Sequence, residues 1–310
     1  MAAVEQAVSQ CGSAVVEGLD VYDGQGTIDW GQVKASGRDF AFIKATQGDY
    51  NHQTKFAANW TNAAAAGVLR SAYHFFDPTI DGVLQAQSFL DAVGSAGGMT
   101  TADLPAMLDI ECPVAASEST AKSEGASCEY AGNSGWIAPA TMKQRVFDWV
   151  ATVTAATGRA PIVYSYPSWF ADVGFTDADL GQLPLFIASY NTCATVPAPW
   201  ETATFWQYSA TTAVPGITGK LDVDRFFGSA GDLAAWNAST LPDAGVPIGP
   251  DAGEPGVDAG APPPMQAAGC GCDTGTRSPG AGALLLATLV GVQHLRRLRR
   301  RARGSDRHRP

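Results

Sequence analysis

From Ser13 to about Asn237 the chain alternates between two rhythms of apolar and polar positions. Short runs rich in Val, Ile, Phe and Tyr read as buried strands. They fall at Val15–Val21, Phe40–Lys44, Leu69–Phe75, Pro105–Glu111, Pro161–Ser165, Leu185–Ser189, Thr204–Tyr208 and Leu221–Phe226. Between them, stretches with helical periodicity occupy Gln53–Ala66, Gly82–Ser95, Ala138–Thr157 and Gly228–Trp236. Thr79-Ile80-Asp81 and Ser134 stand where helices should start, and Gly67 and Gly158 where they should stop. Strands interleaved with helices predict an α/β chain folded as an irregular (β/α) barrel, TIM-like. The irregularity is expected late in the chain, where helices between the last four strands are poor or absent.

The pattern breaks after Trp236. From Leu241 to Gly269 Pro, Gly, Ala and Asp dominate, and PDAG recurs loosely at Pro242–Gly245 and Pro250–Gly253. Such a segment buries too little apolar surface to offset its ordering entropy, so it reads as a disordered linker. Beyond it come Gly269-Cys270-Gly271-Cys272, an apolar run from Ala281 to Val292, and an Arg cluster. The run falls short of the roughly 20 residues that a spanning helix needs, so a short C-terminal hydrophobic helix is expected. The organisation predicted is therefore 1–12, an N-terminal stretch without order; 13–238, the barrel; 239–269, the linker; and 270–310, the tail.

Composition adds limits to this picture. The 310 residues are 45% hydrophobic and 16% charged, which suits a globular body with a sizeable core. The formal net charge is −10, yet the last eighteen residues carry eight Arg and one Asp. The body is thus strongly acidic, which argues against a nucleic-acid partner. Six cysteines (Cys11, Cys112, Cys128, Cys193, Cys270 and Cys272) have no spacing that suits structural zinc. An even number at wide intervals suits disulfides in an oxidising compartment, although Cys11 and Cys193 read equally well as buried thiols. The first eighteen residues lack the positive and apolar regions of a signal peptide. Disulfides and the tail both call for export, so the expectation is a true start upstream, or a trimmed N-terminus.

Several strands end in an acid: Asp20 in VEGLDVYD, Asp109 and Glu111 in AMLDIE, Asp222 and Asp224 in LDVDRF. In a barrel, the C-terminal ends of strands converge on one site. Asp109 and Glu111 stand two apart on a strand and share a face, with Ile110 turned to the outer layer. Carboxyl groups crowded and buried together repel when ionised, so one or more retains a proton near neutral pH. That is what general-acid attack on a leaving oxygen requires. A D-x-E strand end alone is weak evidence; convergence from three strands carries the assignment. Four His, two of them in the tail, cannot build a His-rich metal site, and no metal or cofactor is expected.

The stretch GLDVYDGQGTIDWGQVKASGRDFAFIKATQGDY resembles the opening of the glycoside hydrolase family 25 lysozymes, the Chalaropsis-type muramidases. Further matches follow in that family's order: GVLRSAYHFFDP, LPAMLDIE, IVYSYPSWF, LPLFIASY, TFWQYSA and DVDRF. The likeness spans Gly18 to Phe227. It implies an irregular β/α barrel that cleaves the β-1,4 bond between N-acetylmuramic acid and N-acetylglucosamine with retention. It implies Glu111 as proton donor and Asp109 as the group that orients the 2-acetamido group closing to an oxazolinium-like intermediate. Asp20 and Asp224 would lie on the floor of the site, and attack by one of them as a nucleophile stays open. Peptidoglycan strands are the partner implied, and a secreted monomer is expected. The tail resembles the C-terminal sorting tail of myxobacterial surface proteins, which implies a sorting or processing protease as a second partner.

Sugar faces stack on rings, and Tyr73, Phe75, Tyr164, Tyr190 and Trp206 match family positions at or beside strand ends, with Tyr164 and Trp206 favoured. His74 reads as a satisfied structural histidine. Asp23-Gly24 and the extra acid Asp222 depart from the family pattern. The segment after Glu111 is long, and Cys112 and Cys128 are disulfide candidates within it. Two competing readings remain: a surface peptidoglycan-binding protein without turnover, and a chitin-type hydrolase. The latter's longer D-x-x-D-x-D-x-E run is missing, since Pro105-Ala106-Met107-Leu108 precede Asp109.

Overall fold

The computed structural model describes residues 8–12, 15–111, 137–173 and 180–241. The linker, the tail, Ser134 and the Cys112–Cys128 pairing lie outside the described residues. The chain runs through β1 (Val8–Gln10), β2 (Val15–Val21), a one-turn helix at Asp23–Gln25, α1 (Trp30–Ala35), β3 (Phe40–Gln47) and β4 (Asn51–His52). Next come α2 (Phe56–Ala65), β5 (Leu69–Phe75), α3 (Gly82–Ser95) and β6 (Met107–Asp109). Then follow α4 (Pro139–Thr157), β7 (Ile162–Ser165), α5 (Pro167–Val173), a turn of helix at Leu180–Gln182 and β8 (Leu185–Ala188). Last are β9 (Ala194–Val196), β10 (Phe205–Thr212), β11 (Leu221–Phe227) and α6 (Ala230–Ser239).

Eight of these strands close on themselves in the order β2-β3-β5-β6-β7-β8-β10-β11 and back to β2, with β4 appended to β3. Seven run parallel; β11 pairs antiparallel with both β10 and β2. The strict β/α alternation of a TIM-like barrel therefore stops near the end of the chain. A short strand, β9, stands between β8 and β10, and no helix separates β10 from β11. Reversal of β11 also corrects the sequence reading of its acids. Asp222 lies opposite Asp20 and Asp224 opposite Gly18, so both reach the mouth from the start of their strand, not from its end.

Alternation along each strand sorts side chains into two layers. Inside lie Val16, Phe40, Phe42, Tyr73, Met107, Ile162, Tyr164, Phe186, Phe205 and Phe226. Outside, facing the helices, lie Leu19, Val21, Ala41, Ile43, Leu108, Ile110, Val163 and Ile187. The inner rings meet edge to face, with centroids 5.3 Å apart for Phe40–Phe205 and 5.2 Å for Phe42–Phe205. Each buried phenylalanine contributes roughly 2–3 kcal/mol, so this plug supports the barrel from within. Gly18 makes room for it: a Cβ there would lie 2.3 Å from the Phe40 ring.

The end opposite the mouth is closed by α6, whose Trp236 packs on Phe205 at 5.3 Å. Arg159 ties this helix down, donating from Nη1 to the Asp103 carbonyl (2.7 Å) and from Nη2 to Asn237 Oδ1 (2.6 Å). Caps follow the expected chemistry: Asp81 accepts from the Val83 and Leu84 amides at the start of α3, and Gly158 ends α4 in the left-handed region. The start of α4 is different from expectation, with Pro139 in its first turn. α3 and α4 cross closely at Gly82, where a Cβ would meet the Arg145 carbonyl at 2.0 Å.

The first dozen residues, read as lacking order, contribute β1, which pairs antiparallel with β9. Gln10 bonds the backbone of Ala203 twice, and Cys11 forms a disulfide with Cys193. Of the two readings of these cysteines, the structure shows the disulfide. Among the described residues, no helix is long and apolar enough to cross a membrane.

Candidate active site

The inward positions nearest the mouth carry the chemistry, because the phenylalanine plug below them leaves no place for charge. Asp20 stands near the end of β2, Lys44 on β3, Tyr73 and Phe75 on β5, and Asp109 at the end of β6 with Glu111 two residues on. Tyr164 comes from β7, Gln207 from β10, and Asp222 and Asp224 from β11. The four carboxylates proposed from the sequence, Asp20, Asp109, Glu111 and Asp224, thus converge on one end of the barrel, and Asp222 joins them.

Burial and mutual repulsion govern their protonation. Asp224 is fully buried, Asp109 nearly so, and burial raises the proton affinity of Asp20, Asp109 and Asp224 well above the usual carboxylate range. Asp222 is pushed up to about 7 by burial and by Glu111. Arg38 acts on Asp224, and Lys44 is the cation that acts on Asp109. Burial lowers its pKa to about 8, while Asp109 and Glu111 oppose that fall. Its ammonium donates to Gln47 Oε1 (3.0 Å) and sits 4.4 Å from the Phe75 ring centroid.

Hydrogen bonding leaves selected oxygens open. Gln207 Nε2 donates to Asp20 Oδ2 (2.7 Å), while its Oε1 accepts from Tyr164 (2.9 Å) and Tyr190 (2.7 Å). Asp109 Oδ1 and both oxygens of Asp224 are buried with no hydrogen-bond donor among the described residues. Buried acceptors are rarely left so, and at a cleft they mark places where substrate or a shared proton completes the set. The Glu111 main-chain carbonyl accepts from Tyr166 (3.3 Å), and Ser165 holds the Ile110 carbonyl (2.6 Å), so the turn bearing Glu111 is anchored to the end of β7.

Of the five rings expected in the groove, Tyr73, Phe75 and Tyr164 lie on inward positions of β5 and β7. Tyr73 and Tyr164 are buried, and Tyr190 stands 48% exposed at the rim. Trp206 is not among them. It faces outward, stacks on Phe227 at 5.9 Å and donates its indole N–H to the Ser189 carbonyl (2.6 Å). Its neighbour Gln207 takes the inward position on that strand. Sequence reasoning missed Gln207 and Lys44, although both share the parity of inward phenylalanines, Phe205 and Phe42. Tyr22 and Tyr50, in loops that follow β2 and β3, are exposed. His74 is confirmed in a structural place: it contacts Thr46 (2.7 Å) and Gln85 (3.1 Å), stacks on Trp149, and burial lowers its pKa to about 3. Among the described residues no three His, Cys, Asp or Glu side chains are placed so that they could hold a metal ion.

An eight-stranded barrel with buried acids at its mouth and tyrosines at its rim defines a glycosidase class of site. The profile of the glycosyl hydrolases family 25 matches residues 19–217. Lysozyme M1 of Streptomyces globisporus is 36% identical over 237 residues, covering 74% of this chain and 74% of its own. The N,O-diacetylmuramidase of Chalaropsis sp. is 30% identical over 220 residues, covering 67% of this chain and 96% of its own. A bacterial lysozyme structure from Streptomyces coelicolor superposes with a TM-score of 0.62 at 34% identity, covering 74% of this chain and all of that one. The chain belongs to glycosyl hydrolase family 25, and it is a glycoside hydrolase.

Proposed function

We propose that this protein is a lysozyme that hydrolyses the β-1,4 bond between N-acetylmuramic acid and N-acetylglucosamine in peptidoglycan, with retained configuration. The observation that carries the reading is the acid set: Asp20, Asp109, Glu111 and Asp224 stand on inward positions at one end of a barrel whose relatives are lysozymes and muramidases. The barrel is read as a TIM-like variant with its last strand reversed.

Glu111 donates a proton to the glycosidic oxygen as the bond from that oxygen to the sugar's C1 breaks. The carbonyl oxygen of the 2-acetamido group closes on C1 from the opposite face and forms an oxazolinium ion. Asp109 takes the acetamido N–H, a donor that would satisfy its orphaned Oδ1. Glu111, now ionised, withdraws a proton from water as that water opens the ring, which restores the starting state. Asp20 and Asp224 lie beneath and set the charge that faces the developing cation. Tyr73, Phe75, Tyr164 and Tyr190 line the path of the glycan. A secreted monomer, a Cys112–Cys128 bridge and a tail (270–310) removed by a sorting protease complete the proposal.

The decisive experiment incubates the full chain with purified peptidoglycan beside a Glu111→Gln variant. Muramic-acid reducing ends released by the parent, and reduced at least 100-fold in the variant, are expected from loss of a general acid. Wall binding without release by either protein would overturn the enzymatic reading and leave a binding module.

A further inference from the structure

We propose that Gln207 is a positioning residue for this reaction: its carboxamide fixes one oxygen of Asp20 as an acceptor and ties that floor carboxylate to the rim ring of Tyr190. The inference rests on the glycosidase reading of the site, and it goes beyond the acid set by assigning a role to a neutral side chain.

The geometry is a hub with three spokes. Gln207 Oε1 accepts from the hydroxyls of Tyr164 (2.9 Å) and Tyr190 (2.7 Å), and Nε2 donates to Asp20 Oδ2 (2.7 Å). Two hydroxyl donors on one oxygen orient the amide, because only that arrangement directs an N–H at the carboxylate. Gln207 is itself buried, so no water competes for its amide. Both tyrosine hydroxyls are held as un-ionised donors, since burial raises their proton affinity.

This fixes where a proton can reside. Asp224 shares the inward face with Asp20 on the neighbouring strand, one inward position below the residue opposite it, and both its oxygens are buried without a hydrogen-bond donor among the described residues. Carboxyl groups crowded and buried together share a proton. With Oδ2 of Asp20 already receiving an N–H, the shared proton belongs to Asp224 and the negative charge to Asp20. The charge is thereby placed on the side of the pair that faces the substrate's developing cation. Other groups act on Asp20 from every side: Asp222 and Asp224 from β11, Asp109 and Glu111 from β6 and just beyond it, Tyr73 from β5, Tyr164 from β7 and Tyr190 past β8. All of them are acids or phenols, and Gln207 is the donor that offsets them at Asp20.

The rim spoke carries the second consequence. Tyr190 is the exposed member of the hub, so a sugar that stacks on it rests on a ring tethered to the catalytic floor. Loss of that tether should be felt in binding, and loss of the hub in turnover.

The test compares the full chain with Gln207→Met and Tyr190→Phe on peptidoglycan across pH, with a 13C titration of the Asp20 carboxyl. Gln207→Met should lower kcat by about tenfold or more and move the acid limb, and the Asp20 titration, upward by about one pH unit. Tyr190→Phe should raise KM about threefold with kcat within about twofold and the acid limb in place, because Tyr164 still holds the amide. Should Gln207→Met fail to fold, the Tyr164→Phe/Tyr190→Phe pair frees the same amide and should move the Asp20 titration upward too. An unmoved Asp20 titration in whichever of these folds overturns the proposal. If the parent does not cleave peptidoglycan, the lysozyme reading falls, and the Asp20 titration still decides the role of Gln207.

Discussion

Lys44 shows how a single side chain sets the working range of the site. It is half-buried among acids, its pKa is lowered to about 8, and it favours the ionised form of Asp109. Activity of the parent should therefore decline as pH rises through about 8, where the ammonium loses its proton and Asp109 loses its counter-charge. Lys44→Met should lower kcat/KM by about 10–100-fold, the scale of one removed electrostatic contact, and abolish that alkaline limb. Lys44→Arg keeps a charge at all accessible pH, so it should restore part of the rate and move the limb upward. A pH–rate series on the three proteins decides it; an alkaline limb that persists unchanged in Lys44→Met belongs to another group. Nothing about Lys44 was hidden in the sequence. The parity that put Asp109 and Glu111 on one face also puts Phe40, Phe42 and Lys44 together, but a lone lysine in an apolar strand carries no motif. Trp206 failed for the complementary reason. An aromatic residue suits either face of a barrel strand, and the local pattern around it does not say which face is inner.

At the scale of elements, segments that sit in longer apolar or periodic runs were legible, β6 to β8 included, and short elements outside such runs were not. β2 and β5 were read to the residue, as was α3, because apolar runs and the Asp81 cap mark both their period and their ends. α1, β1, β4 and β9 are six residues or fewer, too short for a period to emerge. Direction was illegible too: nothing in LDVDRF distinguishes a parallel from an antiparallel strand, because alternation is the same in both. The acids of β11 reach the right end all the same, since the ends of neighbouring strands coincide in a closed barrel. β1 has the clearest consequence. Three residues would gain little from pairing with β9 alone, yet the Cys11–Cys193 disulfide spans 182 residues of chain. Restricting the unfolded chain across so long a loop is worth about 2–4 kcal/mol. Cys11→Ser with Cys193→Ser should lower the melting temperature by several degrees and expose β1 to proteolysis. Equal melting of the two proteins under oxidising conditions would show the bridge to be neutral. Cys193 also lies three residues after Tyr190, so the same variant should raise KM if the bridge steadies the rim.

For the whole molecule, the acid mouth is a cost carried by the rest of the fold. Asp222 has a folded-state pKa raised to about 7 against an unfolded value near 3.9, so the folded chain holds a proton that the unfolded chain has released. Below about pH 4 both states are protonated and there is no difference. As pH rises through the window from about 4 to 7, the unfolded state is favoured, and above about 7 the full destabilisation is reached. Asp20, Asp109 and Asp224 are shifted in the same direction and add slopes of the same sign. His74 works oppositely. Its folded pKa of about 3 lies below the unfolded value of 6.5, so the folded state is progressively lost to proton uptake as pH falls below about 6.5. The phenylalanine plug and the Arg159 tie under α6 must outweigh both. Asp222→Asn removes one acid slope while it keeps the shape of the side chain. Its stability should equal the parent's at pH 4 and exceed it increasingly to pH 8, by at most about 4 kcal/mol for a shift of roughly three units. Urea melts of both proteins at pH 4, 6 and 8 measure this directly. A difference that does not grow with pH would mean that Asp222 is ionised at no cost, and that water reaches it more fully than its burial suggests.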